Sequence, residues 1–235
     1  TVVNDFKNIH HYTPTKLEKK LKVLPDEVLI ISKALYFYLS KKIKFLNFKI
    51  VPAIRNERIF NIKKIYTQSF YKKNKNLLFV LSSNQEEADF IFNLIQENLD
   101  WLRLNNYKIT LKTHSNIKLN YFINNNKKIL IYKKDFYKIL TKAEIVISGG
   151  TTATVDSYIL NKKIILICSS NGLIFNPLIN LSKKKVKICY DRNSFIKNLK
   201  LLTNLKNKND NIINLKELKK YFEKFDPKKF ENFIN

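Results

Sequence analysis

AEIVISGGTTATVDSYILNKKIILI, residues 143–167, packs an apolar run, a tight turn, a helical pattern and a second apolar run into one stretch. EIVIS (144–148) and KIILIC (163–168) are continuous and apolar, as a strand covered on both faces requires. TTATVDSYILNK (151–162) between them has the pattern of a helix. A strand, a short helix and another strand in succession form the crossover unit of a parallel sheet. The chain holds three glycines, and two of them, Gly149 and Gly150, sit at the strand-to-helix turn.

The same alternation extends outward from this unit. NLLFVLSS (76–83) reads as a buried strand, and NQEEADFIFNLIQENLDWL (84–102) as a long helix. Asn84 followed by Glu87 has the spacing of a capping box. YKITLKT (107–113) and KKILIY (127–132) are further strands, with a helix over 133–143. KKVKICY (184–190) reads as a strand, and 191–203 as a helix that Asp191 caps. From residue 76 onward the expected fold is α/β, a Rossmann-like parallel sheet with helices on both faces.

Upstream, the sequence predicts a short helix over 14–22, strands over 28–32 and 48–54, and an aromatic-striped helix over 33–46. Residues 55–76 lack a clean period and read as a connection. The expected organisation is an upstream α/β segment with its connection (1–75), the Rossmann-like domain (76–204), and a linker with a C-terminal helix (205–235).

Composition bounds the function classes. With 45% apolar residues, 17 Phe and 12 Tyr, the 235-residue chain can build a core. No run approaches the ~18 apolar residues of a membrane span. TVVNDFKNIHHYT has no signal-peptide layout and no initiator Met, so the chain is expected to begin inside a longer protein. Cys168 and Cys189 lie in apolar runs and read as buried free thiols in a reducing cytoplasm. The net charge is +25, yet only four basic residues are arginine, the usual reader of phosphates and base edges. Lysines spread along the whole chain read as solvated faces. Nucleic-acid binding therefore ranks low as a partner class. A weak association with the inner face of the cytoplasmic membrane remains compatible with the charge.

The turn at 149–152 is the first candidate site. In an open parallel sheet ligands bind at the carboxyl ends of the strands. Glycine allows close backbone approach, helix-start amides suit an anion, and Thr151 and Thr152 add hydroxyls. The same residues would also make a tight turn and a helix cap and nothing more. The run matches neither GxxxxGK[ST] nor GxGxxG. His114, after the 107–113 strand, should reach the same edge, where an imidazole can bind a phosphate oxygen or protonate a leaving group. Ser82 and Ser83 end the 76–83 strand and either line a ligand or cap the next helix. Asp156 lies in the helix after the glycines, either near a ligand or at a solvated position. SSNGLIFNPLIN (169–180), with Gly172, Asn176 and Pro177, would form a loop beside the site. Three histidines and two apolar-run cysteines make no zinc pattern.

LKTHSN (111–116), AEIVISGGTTATVDSYILNKKIILI and NGLIFNPLINL together resemble the donor-binding half of GT-B glycosyltransferases of bacterial surface-carbohydrate (capsule- or lipopolysaccharide-type) synthesis. The likeness extends to relatives that use CMP-activated acidic sugars, covers roughly residues 24–203, and implies that residues 1–75 are the end of a preceding Rossmann-like domain with its connection. It implies that His114 and the Thr151–Thr152 pair contact the nucleotide phosphate and that Asp156 stands where relatives carry an acid. It also implies a nucleotide-sugar donor as substrate, a glycan or lipid-linked acceptor, and a separate N-terminal acceptor domain or chain. No metal or cofactor is expected. Ser115 departs from the proline usual after the histidine, and Gly149–Gly150 replace bulkier small residues. The second reading is a noncatalytic nucleotide- or carbohydrate-binding partner in an envelope-polysaccharide assembly.

Overall fold

The computed structural model describes residues 2–3, 15–54, 57–62, 75–168, 177–178, 184–205, 219 and 221–227. The chain divides into two compact units, residues 1–65 with 213–235, and residues 66–212.

The smaller unit carries three parallel strands in the order β1 (Val2–Val3), β2 (Glu27–Ile30), β3 (Asn47–Ile50). Helix α1 (Lys16–Lys20) precedes β2, and α2 (Lys33–Lys42) crosses from β2 to β3. Ser32, expected within the strand, instead caps α2 by accepting the Leu35 N–H at 3.3 Å. Val28, Ile30, Leu35, Leu39, Ile43 and Phe48 form the core between sheet and helix. The third strand stops before Pro52, which has no N–H to give a ladder. A short helix, α3 (Glu57–Asn61), occupies part of the stretch that reads as a connection. Ala53 N–H donates to the Glu223 carbonyl, and Lys33 pairs with the Glu223 carboxylate at 2.6 Å, so the chain's end returns to this unit.

The larger unit is a six-stranded sheet, every pair parallel. Its strands are β4 (Asn76–Val80), β5 (Lys108–Lys112), β6 (Ile129–Tyr132), β7 (Ile145–Ser148), β8 (Lys163–Ile167) and β9 (Val186–Cys189). They lie in the order β6-β5-β4-β7-β8-β9. Counted within the unit this is 3-2-1-4-5-6, the doubly wound order, whose direction reverses between β4 and β7. The α/β expectation holds.

Both sheet faces are covered, which is why the strands read as unbroken apolar runs. Leu77, Phe79, Ile145, Ile147 and Ile165 pack on one face with Ile91, Phe92 and Ile95 of α4 (Gln85–Leu104) and Phe195 and Leu199 of α8 (Arg192–Asn204). Leu78, Val80, Val146, Ile164 and Leu166 alternate to the other face and are buried as well. Helix α7 (Thr152–Ile159) lies against β7 and β8. Asp191 caps α8 in a reciprocal box with Ser194, and hydrogen bonds from the Ser194 N–H and hydroxyl hold its carboxyl below the usual range. Two helices are shorter than or absent from the sequence reading: α6 (Phe136–Leu140) spans one turn, and α5 (Tyr121–Asn125) fills the stretch before β6. Both are too short to show a period. Of the loop at 169–180 only Pro177 and Leu178 fall within the described residues, and both are buried; the predicted helix at 217–225 likewise lies partly outside them.

Candidate functional site at the sheet's switch point

The ladder registers align Tyr132, Lys112, Val80, Ser148, Leu166 and Ile188 in one row across the sheet. Two residues past that row, β5 delivers His114, β4 delivers Ser82 and β7 delivers Gly150. All three turns leave the same carboxyl rim. Neighbouring strands stand ~4.8 Å apart, so β5 and β7 leave the sheet roughly 10 Å from one another with the β4 turn between them. The Ser82–Asn84 turn and the Gly149–Thr152 turn flank the switch point directly. His114 reaches the rim one strand further out.

The 149–152 turn is built from within. Thr154 Oγ1 donates to the Gly149 carbonyl at 2.7 Å and lies 2.8 Å from Ser148 Oγ, with all three groups buried. Thr151 N–H donates to the same carbonyl at 2.9 Å, and Thr154 N–H to the Thr151 carbonyl at 3.0 Å. Thr151 is the N-cap residue of α7 by backbone conformation, but its side chain makes no capping bond. Its hydroxyl is buried and has no hydrogen-bond partner among the described residues. A cap residue whose hydroxyl ignores its own helix leaves an acceptor and donor beside the first-turn amides.

Gly149 is needed for close approach. Strand alternation carries 145, 147 and 149 toward the α4 face, and there Glu87 lies against it. A Cβ at 149 would come within 1.8 Å of Glu87 Oε1. Glu87 is 6% exposed, a buried side chain beside the position a Cβ at 149 would take. The capping box read from Asn84 and Glu87 is thus altered. Asn84 Oδ1 accepts the Glu86 and Glu87 amides at 2.9 and 3.3 Å, while the Asn84 N–H goes to Ser82 Oγ at 3.2 Å. Ser82 is buried in that bond, and Ser83 is exposed on the same turn.

His114 stands exposed in a turn closed by Ile117 N–H donating to its carbonyl at 3.2 Å. Its Nδ1 accepts the Asn116 N–H at 3.3 Å, which orients the ring and leaves Nε2 as the outward nitrogen. Asp156 is buried, and its carboxylate accepts the Tyr137 hydroxyl of α6 at 3.1 Å, a partner inside the protein. Thr152 is partly exposed in the first turn of α7. The structure therefore brings Ser82, Ser83, Gly149, Gly150, Thr151 and Thr152 together at the switch point, places His114 on the same rim beyond the β4 turn, and ties Asp156 to α6.

Sequence reasoning missed Glu87 as a site element and Thr154 and Ser148 as the turn's internal ties. The signal for Thr154 was present: a third hydroxyl two residues after the Thr pair, on a turn with few other donors. Nothing in the sequence could place Glu87 against Gly149, because the two residues are 62 positions apart. Cys168 and Cys189 are free and buried, and burial pushes the Cys189 thiol up to about 11, so it stays protonated near neutrality. Among the described residues, no three His, Cys, Asp or Glu side chains cluster to hold a metal ion.

No protein-family profile matches the chain, and no curated protein matches it. Among solved structures, it is similar to the glycotransferase of kitacinnamycin, with a TM-score of 0.51 and 10% identity over 81% of this chain and 49% of that one. It also aligns with Thermosulfurimonas dismutans KpsC, a beta Kdo 2,4 transferase, with a TM-score of 0.32 and 10% identity over 63% of this chain and 52% of that one. The likeness to the first of these is one of fold, and the chain spans about half the length of both structures.

Proposed function

We propose that the larger unit binds a nucleotide-activated sugar and serves glycosyl transfer in surface-polysaccharide synthesis. The observation that carries this reading is the buried Thr151 hydroxyl, without a partner among the described residues, at the start of α7 and at the switch point of a doubly wound sheet. The anionic end of the nucleotide would sit over the Gly149–Thr152 turn, held by Thr151, Thr152 and the first amides of α7. Ser82 and Ser83 would border it from β4. His114 Nε2 would approach from the far side of the β4 turn and stabilise charge on the departing nucleotide or protonate it. Amides, hydroxyls and an imidazole together could offset that charge without a metal ion. A CMP-linked acidic sugar is the donor the sequence resemblance favours, and the acceptor would be a glycan or a lipid-linked glycan.

Calorimetry with CMP, UDP and GDP on the chain tests the binding half of this reading. One nucleotide should bind, and Thr152→Ala should weaken it by about tenfold. If none of the three binds, or if Thr152→Ala binds as the parent does, the cradle is misassigned. The half-length match supports a second reading, in which the chain binds the nucleotide sugar as a noncatalytic partner. Transfer or donor hydrolysis by the chain alone would exclude it.

A further inference from the structure

We infer that residues 15–23 form an anchor for an anionic lipid surface. The inference stands apart from the proposed nucleotide site. TKLEKKLKV is a helical turn and a half in which every residue is exposed and none contributes to a core. Leu17, Leu21 and Val23 are 63%, 60% and 65% exposed, which makes three large aliphatic side chains in water on one short segment.

The segment is held in this shape at both ends. Thr15 and Glu18 cap α1 reciprocally: the Thr15 side chain accepts the Glu18 N–H, and Glu18 Oε2 accepts the Thr15 N–H at 2.6 Å. At the other end Lys22 N–H donates to the Lys19 carbonyl and Val23 N–H to the Glu18 carbonyl, the pair of bonds of a Schellman motif. Lys22 occupies its left-handed position with φ 56°, where glycine is usual. In that motif the residue after the left-handed one commonly packs back on the helix. Here that residue, Val23, is left in solvent.

Leu17 and Leu21 are four apart and share a face. Lys16 and Lys20 lie alongside that face, Lys22 follows it, and Lys19 sits over the Phe45 ring at 5.1 Å, tying the segment to the smaller unit. Four lysines stand against one acid, Glu18, whose carboxylate is engaged at the helix start with its pKa lowered by the Thr15 bonds. Exposed aliphatics rimmed by lysines match a surface that is apolar below and anionic above, the chemistry of a bilayer containing acidic headgroups. No helix among the described residues is long and apolar enough to cross a membrane, so attachment of this kind would be peripheral.

Co-sedimentation of the full chain with phosphatidylcholine vesicles, with and without phosphatidylglycerol, tests the proposal. The parent should bind the anionic vesicles and not the neutral ones, and added salt should weaken binding. Leu17→Ser, Leu21→Ser and Val23→Ser combined should lower partitioning by about tenfold. Lys16→Glu, Lys20→Glu and Lys22→Glu combined should lower it at least as far. All six positions are exposed, so the fold should be kept, with an unchanged thermal midpoint as the check. A matched control, Lys108→Glu, Lys127→Glu and Lys128→Glu, changes the net charge equally on exposed positions of the larger unit and should bind nearly as the parent does. Equal loss in that control would assign the binding to overall charge and overturn the anchor. So would binding that survives removal of the three aliphatics, or binding to duplex DNA that outcompetes the vesicles.

Discussion

Two turns leave the same rim of the six-stranded sheet, and they are built in opposite ways. The 149–152 turn has both its glycines buried and is tied from within: Thr154 holds the Gly149 carbonyl and Ser148, and Glu87 fills the space where a side chain at 149 would go. The 113–116 turn is largely exposed and held by a few local bonds around His114. The first resembles a preformed cradle, the second an adjustable arm. Mutations should therefore separate them. Changes at the first should register in stability, with Thr151 the exception, and changes at the second only in ligand chemistry.

The sharpest break of that contrast is Gly149→Ala. Its Cβ would meet the far end of the buried Glu87 side chain, which must swing aside, and urea unfolding should show a loss of at most about 2 kcal/mol. Shortening the obstacle with Glu87→Ala should return part of that loss, so the double variant should be less unstable than the sum of the singles. Strict additivity would mean the two residues do not meet. Thr154→Val comes next. It removes the bonds to the Gly149 carbonyl, which keeps the Thr151 N–H, and to the buried Ser148 hydroxyl, for about 1.5 kcal/mol in the same measurement.

Thr151→Val is expected to change stability by no more than about 0.5 kcal/mol, because the hydroxyl it removes bonds none of the described residues. Nucleotide affinity should nonetheless fall by roughly tenfold in calorimetry. A stability loss with unchanged affinity would return Thr151 to an ordinary structural role. His114→Ala should also leave the unfolding curve within about 0.5 kcal/mol. If the chain or its complex turns over, that variant should lower kcat by about a hundredfold while shifting Kd little. Equal turnover would remove His114 from the chemistry.

Much of the sheet was legible because its strands are buried on both faces. NLLFV, IVIS and KIILI need no partner to be identified, since nothing but a covered strand tolerates so short and continuous an apolar run bounded by turns. The one-turn helices were not legible: five residues do not complete two periods of 3.6. Within the candidate site, Gly149 and Gly150 stood out because the chain uses glycine so rarely. Asp156 was readable as an acid on the right helix, but only coordinates pair it with the Tyr137 hydroxyl.

By itself the sequence determined the elements and their alternation, because periodicity and turn chemistry act over a few neighbouring residues. It also determined that several hydroxyls, two glycines and an imidazole stand at strand ends. The tertiary structure decided the strand order, and with it which turns become neighbours: β4 beside β7, and β5 one place away. It also decided that Glu87 would lie against Gly149, that Thr154 would tie the turn and that Thr151 would not. Those outcomes depend on contacts between residues distant in the chain, where packing and the direction of each crossover choose among partners that local chemistry leaves equivalent.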